Sequence, residues 1–181
     1  MQHHANRWAA LLLIILAGCA SRASGPRLSS LPALEPAPGK TLLYVYRQRA
    51  EPVGSVPTVR LDGQALVELR DGGFTRVLVA PGERRLTVQW PSGSGQKDIA
   101  TTVELVAGQT VFVDVSGTVR VTGTERTEVY MLVDNGSRWA PRYQYTPQMT
   151  ASSSAKVVNP ADAEAIVTAC CRFQAPLADA F

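Results

Sequence analysis

Histidine is nearly missing from this chain of 181 residues, which contains only His3 and His4. Both precede an apolar run that is typical of a removable export signal, so we expect the mature protein to contain no histidine. A Ser/His/Asp triad, a Cys/His dyad and a histidine-ligated metal site each need an imidazole that titrates near neutral pH. The composition therefore argues against an enzyme, and we predict no catalytic residues and no metal site.

Long runs of one charge are also missing. Lys and Arg total 18 and Asp and Glu total 15, and both kinds are scattered along the chain. No basic run is longer than Arg84-Arg85. A nucleic-acid-binding surface needs a basic stripe that follows the phosphates, so we expect no nucleic-acid partner.

The N-terminus has the organisation of an export signal. Arg7 supplies a positive charge, and an apolar stretch from Trp8 to Ile15 follows it. Because this stretch is too short to cross a bilayer as a permanent helix, it indicates a secretory signal. It leads into Leu16-Ala17-Gly18-Cys19, a sequence that resembles the lipobox of bacterial lipoproteins.

This resemblance implies a lipid attachment site. Signal peptidase II would recognise Leu16, Ala17 and Gly18, and the thiol of Cys19 would receive a diacylglycerol, the only bound group we expect. Because each buried methylene contributes about 0.8 kcal/mol, several acyl chains attach a protein stably to a membrane. Ala20 stands where inner-membrane lipoproteins commonly carry Asp, so we expect outer-membrane attachment with the domain facing the periplasm. An ordinary secretory signal with a coincidental cysteine is the alternative.

The composition divides the chain into four regions. We predict a signal peptide over residues 1–18, the lipidated cysteine and a disordered Ser- and Pro-rich tether over 19–39, a β-sandwich domain over 40–134, and an irregular aromatic strip with a short helix over 135–181. Prolines that disfavour helices and central strands recur in the tether at Pro26, Pro32, Pro36 and Pro38. Asn159-Pro160 predicts the start of the helix, with Asn as the N-cap and Pro at the first helical position.

Short strands dominate the predicted domain. Leu42–Tyr46 is rich in β-branched and aromatic residues, Asp62-Gly63 is typical of a tight hairpin turn, and Pro81-Gly82 marks another reversal. Apolar residues then alternate with polar ones from Leu86 to Trp90 and from Ile99 to Leu105. Seven or eight such strands predict an all-β fold, an antiparallel β-sandwich or small barrel of about seven strands.

Several motifs in this region resemble a family of small bacterial lipoproteins called domain of unknown function 2846. The resemblance covers roughly residues 37–115 and implies a β-sandwich, but it implies no activity, because the family has no assigned catalytic residues. Many relatives carry a histidine where this chain has Arg84. The motifs are Pro38-Gly39-Lys40, Tyr44-Val45-Tyr46-Arg47, Val59-Arg60-Leu61-Asp62-Gly63, Ala80-Pro81-Gly82-Glu83 and Ala107-Gly108-Gln109-Thr110.

Acidic residues offer two further possibilities for chemistry. Glu125 and Glu128 are close in sequence, but three residues apart on a strand they face opposite sides, which disfavours a hydrolytic pair. The aspartates Asp62, Asp71 and Asp134 occur at turns and lack the further oxygen ligands of a calcium loop. Turn chemistry explains these three aspartates.

Cys170 and Cys171 are the remaining cysteines. Adjacent cysteines on a helix point about 100° apart, and a bond between neighbours strains the peptide. We therefore favour a buried Cys170 and an incidental Cys171. A vicinal disulfide and a disulfide to another protein are the alternatives, since an envelope compartment is oxidising.

Aromatic and basic residues are concentrated in the strip, at Arg138, Trp139, Arg142, Tyr143 and Tyr145. Such residues stack on sugar rings or form the centres of protein interfaces. Tyr143 and Tyr145 are two apart, so an extended chain would present both on one side. Because large aromatic side chains are usually buried, we expect the strip to pack across an open face of the sandwich.

These features lead to a functional expectation. We predict a membrane-anchored lipoprotein without catalytic activity, whose β-sandwich binds another component of the cell envelope through the C-terminal strip and helix. The partner would be an envelope protein. Glycan or peptidoglycan binding through Trp139, Tyr143 and Tyr145 is one alternative, and a structural envelope protein without a discrete site is another.

Overall fold

The computed structural model describes residues 21–48, 54–133, 136 and 138–177. The predicted signal peptide, the lipobox with Cys19, and Asp134 lie outside these residues. In the described part, nine strands form two sheets that pack face to face, and one helix follows near the C-terminus. The all-β sandwich with a short C-terminal helix is thus confirmed.

The first sheet has five strands, in the order β8-β7-β1-β4-β9. These are β1 (Thr41–Arg47), β4 (Gly73–Val79), β7 (Thr110–Val133), β8 (Arg138–Val158) and β9 (Arg172–Phe173). The second sheet has the order β3-β2-β5-β6. Its strands are β2 (Thr58–Leu61), β3 (Gln64–Glu68), β5 (Gly82–Gln89) and β6 (Ile99–Leu105).

Strand β1 lies at the centre of the first sheet, and both of its faces are buried. Leu43 and Val45 point between the two sheets, where they join the main core with residues such as Leu86 of β5. Leu42, Tyr44 and Tyr46 point to the opposite side and join a second core. Alternation along one strand therefore supplies both cores.

The helix α1 (Pro160–Cys170) covers the second core. It begins as predicted, because the Asn159 side chain accepts a hydrogen bond from the Ala161 N–H at 3.0 Å. Ala163 and Val167 are buried on the same side of the helix. The helix thereby shields the aromatic outer face of β1, β4 and β7 from water.

The segment 21–39, predicted to be a disordered tether, lies along the sandwich instead. The Ser21 carbonyl accepts a hydrogen bond from the Asp71 N–H at 2.9 Å, and the Ala23 N–H donates to the Asp71 carbonyl at 2.9 Å. Further along, three leucines pack on the second core. These are Leu28, Leu31 and Leu34. The prediction is wrong because prolines disfavour helices but do not prevent the apolar side chains between them from being buried.

The region 138–158, predicted to be irregular, forms strand β8. It pairs with β7 along its whole length, from Phe112↔Val158 to Val133↔Arg138. Strand β1 pairs with β7 only as far as Asp114. Beyond that point β7 and β8 form a two-stranded arm, which we define as residues 116–133 and 138–154.

Strand β8 was missed because its sequence lacks the usual signature of a strand. Both faces are largely exposed, so Thr, Ser and Gln replace the alternation of apolar and polar residues. Pro141 and Pro147 are compatible with this strand, because β8 is an edge strand, where proline is tolerated. At about 3.3 Å per residue, the part of the arm beyond Val119 is about 45 Å long.

We expect loss of an aromatic ring to destabilise the fold much more in the second core than on the arm. Phe74 is fully buried and packs edge-on against Phe173, with 5.7 Å between ring centroids. We expect Phe74→Ala to lower the free energy of unfolding by about 3–5 kcal/mol. Tyr145→Ala on the exposed arm should change it by no more than about 0.5 kcal/mol. Urea denaturation of both variants measures this, and equal losses would contradict the assignment of an exposed arm.

Candidate functional site

One face of the arm is aromatic. Alternation along β8 places Trp139, Tyr143 and Tyr145 on the same side, as the two-residue spacing of the tyrosines predicted. Their partners across the ladder are Leu132 opposite Trp139, Glu128 opposite Tyr143, and Arg126 opposite Tyr145. Side chains of directly opposed residues share a face, so β7 contributes to the same surface.

A register shift in β7 determines which of its residues join this surface. The pairing changes between Val121 and Gly123, where β7 carries one more residue than β8. One extra residue reverses the facing of every later side chain on that strand. As a result Tyr130 and Leu132 face the same side as Trp139. We define the aromatic face as Tyr130, Leu132, Trp139, Tyr143 and Tyr145.

All five side chains of the aromatic face are exposed. Trp139 and Tyr145 are each 63% exposed, and Tyr143 is 50% exposed. The expectation that the strip packs across an open face of the sandwich is therefore wrong. The sandwich closes its outer face with α1 and the segment 28–34, which leaves the aromatic residues to extend into solvent on the arm. A cluster of exposed aromatic side chains of this kind is typical of a binding surface.

The arginines of the predicted cluster are divided between the two faces. Arg138 and Arg142 alternate with Trp139 and Tyr143, so they face the opposite side of the arm. The arginine that contacts the aromatic face is Arg126, whose guanidinium carbon lies 4.4 Å from the centre of the Tyr143 ring. Sequence reasoning missed Arg126, because only the strand pairing brings it beside Tyr143.

Glu128 adds a negative charge to the aromatic face. It hydrogen-bonds to Tyr130, and this bond together with its charge raises the pKa of the Tyr130 hydroxyl. Glu125 faces the other side of the arm, opposite Thr146. The two carboxylates thus lie on opposite faces, as their three-residue spacing predicted.

The turn aspartates serve the fold. The Asp62 side chain accepts a hydrogen bond from the Arg85 N–H at 2.9 Å and pairs with the Arg84 guanidinium at 3.0 Å. Asp71 lies 3.5 Å from the Arg22 guanidinium. Within the ranges that the structure describes, no three His, Cys, Asp or Glu side chains converge in a way that would hold a metal ion.

The structure records a vicinal disulfide between Cys170 and Cys171, one of the alternatives raised by the sequence. The favoured expectation about burial is reversed, since Cys171 is only 1% exposed and Cys170 is partly exposed. The helix ends at Cys170, and the extended conformation of Cys171 turns its side chain into the second core. Cys170 borders an open cleft of about 300 Å³ with Arg22, Asp71 and Arg172.

Two buried ionisable groups flank the base of the arm. Arg47 is fully buried, and its guanidinium donates to the Ser55 carbonyl at 2.6 Å and lies 5.0 Å from the centre of the Trp90 ring. Burial lowers its pKa, and Asp71 opposes this shift. Asp114 is half-buried, and burial raises the pKa of its carboxyl while Lys156 lowers it. Asp114 and burial together raise the pKa of Tyr46 to about 12, with burial the larger cause.

Among the residues that the structure describes, no helix is both long enough and apolar enough to cross a bilayer.

Comparison with known proteins provides no assignment. No protein-family model, curated protein or solved structure matches the chain. The resemblance to domain of unknown function 2846 accordingly stays a prediction.

The disulfide has a direct chemical test. We expect the folded protein to resist alkylation at both Cys170 and Cys171 until it is reduced, and to migrate as a monomer on a non-reducing gel. Cys171→Ser should be less stable than Cys170→Ser by about 1–3 kcal/mol, because only Cys171 places its side chain in the core. Two free thiols before reduction, or a disulfide-linked dimer, would contradict the vicinal bond.

Asp114 makes stability depend on pH. Its folded-state pKa lies above the ordinary value of 3.8, so ionisation opposes folding. The protonated Asp114 carboxyl therefore contributes to the free energy of unfolding. Its contribution is fully present below the ordinary pKa and is lost as the pH rises through the folded-state pKa. We expect Asp114→Asn to be more stable than the wild type at neutral pH, with the difference vanishing at acidic pH.

Urea denaturation across this pH range measures the difference. Lys156→Met is the matched variant. Because it removes the charge that lowers the pKa of Asp114, we expect its free energy of unfolding to depend on pH more strongly than that of the wild type. A pH-independent difference between the wild type and Asp114→Asn would show that ionisation of Asp114 does not oppose folding.

Proposed function

We propose that the chain is a membrane-anchored lipoprotein of the bacterial outer membrane that faces the periplasm. In this proposal it carries a diacylglycerol on Cys19, performs no catalysis, and binds another component of the envelope through the arm. The lipobox sequence Leu16-Ala17-Gly18-Cys19 supports the attachment. The lack of histidine after residue 4 supports a binding role over acid–base chemistry.

The exposed aromatic face is the observation that carries the binding proposal. Trp, Tyr and Arg contribute most of the binding energy in many protein interfaces, because they bury a large area and also form polar contacts. Here they occur together on an arm that extends away from both cores. An isolated two-stranded ribbon is marginally stable in water, so an arm of this length gains from contact with a partner.

A binding role also explains why the arm is kept apart from the sandwich. The first sheet is covered by α1 on its outer face and by the second sheet on its inner face. Loss of the arm's aromatic residues would leave both cores unchanged. Selection for stability alone therefore does not account for Trp139, Tyr143 and Tyr145, whereas binding does.

In-cell crosslinking tests the proposal. Crosslinked partners of the wild type are identified by mass spectrometry and compared with those of Trp139→Ala, Tyr143→Ala and Tyr145→Ala. We expect each substitution to reduce partner recovery severalfold, because truncation of a central aromatic residue costs about 2 kcal/mol or more. Gln144→Ala, between the two tyrosines but on the other face, is the matched control.

Unchanged recovery in all three aromatic variants would remove the aromatic face from the proposal. Glycan binding is the second candidate, because a row of exposed aromatic rings also suits sugar rings. Co-sedimentation of the purified protein with cell-wall sacculi distinguishes the two. Binding to sacculi that is lost in Trp139→Ala favours the glycan, and no co-sedimentation at low or moderate salt rejects it.

A further inference from the structure

The arm and the start of the described chain lie at the same end of the sandwich. Strand β7 runs parallel to β1 and passes the Arg47 end of the first sheet as it enters the arm. Strand β4 begins at this same end, since Gly73 pairs with Arg47. The backbone of Ser21 is held at this end by its hydrogen bond from Asp71.

These positions limit how far a lipid on Cys19 can be from the arm. Two residues span at most about 7 Å, so an anchored Cys19 holds the Ser21 end of the sandwich close to the bilayer surface. Ser21 is about three strand spacings from β7, which corresponds to about 15 Å. An arm about 45 Å long that leaves this end therefore reaches the bilayer.

The tip of the arm has the chemistry of a membrane interface. We define the tip as residues 129–132 and 139–141, which lie just before the polar far end of the arm at Gly136 and Arg138. Tyr130, Leu132 and Trp139 lie on one of its faces, and Met131 and Ala140 lie on the other. Exposed apolar side chains therefore occur on both faces of the tip, and this arrangement suits immersion in lipid. Trp and Tyr are enriched where acyl chains meet headgroups.

Polar groups limit how deeply the arm can enter the bilayer. Arg138 and Arg142 lie beside the tip, and guanidinium groups bind phosphate oxygens. The unpaired edges of a two-stranded ribbon need water or headgroups to satisfy their backbone, so the arm cannot lie in the hydrocarbon core. The interfacial region accommodates both the apolar side chains and the polar backbone.

The outer edge of β8 disfavours pairing with a strand from a second copy of the chain. β8 is the edge of the first sheet, and its outer side would be the place for a further strand. Pro141 and Pro147 interrupt this edge, and each lacks the N–H that a new ladder would need. A bilayer surface requires no such ladder.

We propose that the tip and the aromatic face of the arm insert into the interface of the same phospholipid bilayer that holds Cys19. This inference rests on the lipid attachment proposed above, and it names the envelope component bound by the arm as the membrane itself. The arm would then hold the sandwich at a second point and fix its orientation on the membrane.

Depth-dependent fluorescence quenching tests the insertion. The full protein is purified from the membrane fraction and reconstituted in vesicles of phosphatidylethanolamine and phosphatidylglycerol, with or without bromine on the acyl chains. Trp90 is buried in the main core and contributes the same signal to every variant. The Trp139→Tyr variant supplies this background. We expect brominated lipid to reduce the Trp139 emission at least twofold.

The matched control moves the reporter to the other face. Gln144→Trp in the Trp139→Tyr variant places a tryptophan among the polar residues of the arm. We expect this emission to be quenched much less than that of Trp139. Equal quenching at both positions would overturn the oriented insertion. A blue-shifted Trp139 without quenching would place the face against protein, a second copy included, and would also overturn it.

Mass spectrometry of the N-terminal peptide separates this inference from the proposed function. Acyl chains on Cys19 without quenching of Trp139 would uphold the attachment and overturn the insertion. Quenching without acyl chains on Cys19 would overturn the attachment, and with it the placement of anchor and arm in one bilayer, and would leave only the contact of the arm with lipid.

Discussion

The parallel ladder between β1 and β7 organises both the packing of the cores and the direction of the arm. It places β1 between β7 and β4 at the centre of the first sheet. The second sheet covers one face of β1 and α1 covers the other, so this strand contributes to both the main core and the second core. The same pairing sets the direction of β7. Because β7 runs alongside β1, it continues past the Arg47 end, and the arm extends from the end where Ser21 is attached. The pairing of β1 with β7 therefore affects both the packing of the cores and the position of the arm.

A single extra residue in β7 gives the arm its chemistry. Without the register shift between Val121 and Gly123, Tyr130 and Leu132 would face away from Trp139, and the apolar residues of β7 would lie among the polar residues of β8. With the shift, both strands contribute to one aromatic face. The cost is a local loss of regular pairing, which falls on an exposed part of the ladder where few contacts depend on it.

The sequence predicted the sandwich because strands such as β5 and β6 bury one face and expose the other. Alternation from Leu86 to Trp90 and the turn at Asp62-Gly63 both appear in the structure, the latter with the positive φ angles that the hairpin signal implied. The helix start at Asn159 was also predictable, since its cap is a local interaction. The arm and the docking of residues 21–34 were not, because each depends on contacts with distant parts of the chain.

The class of fold, the position of the helix and the composition of the exposed site can all be read from the amino-acid sequence. These follow from interactions between residues close in the chain, such as turns, caps and alternation. The tertiary structure decided which residues share a surface. It divided the arginines from Trp139, brought Arg126 to Tyr143, and placed Cys171 rather than Cys170 in the core. Strand register and packing set these outcomes, and both depend on pairings between segments far apart in the sequence.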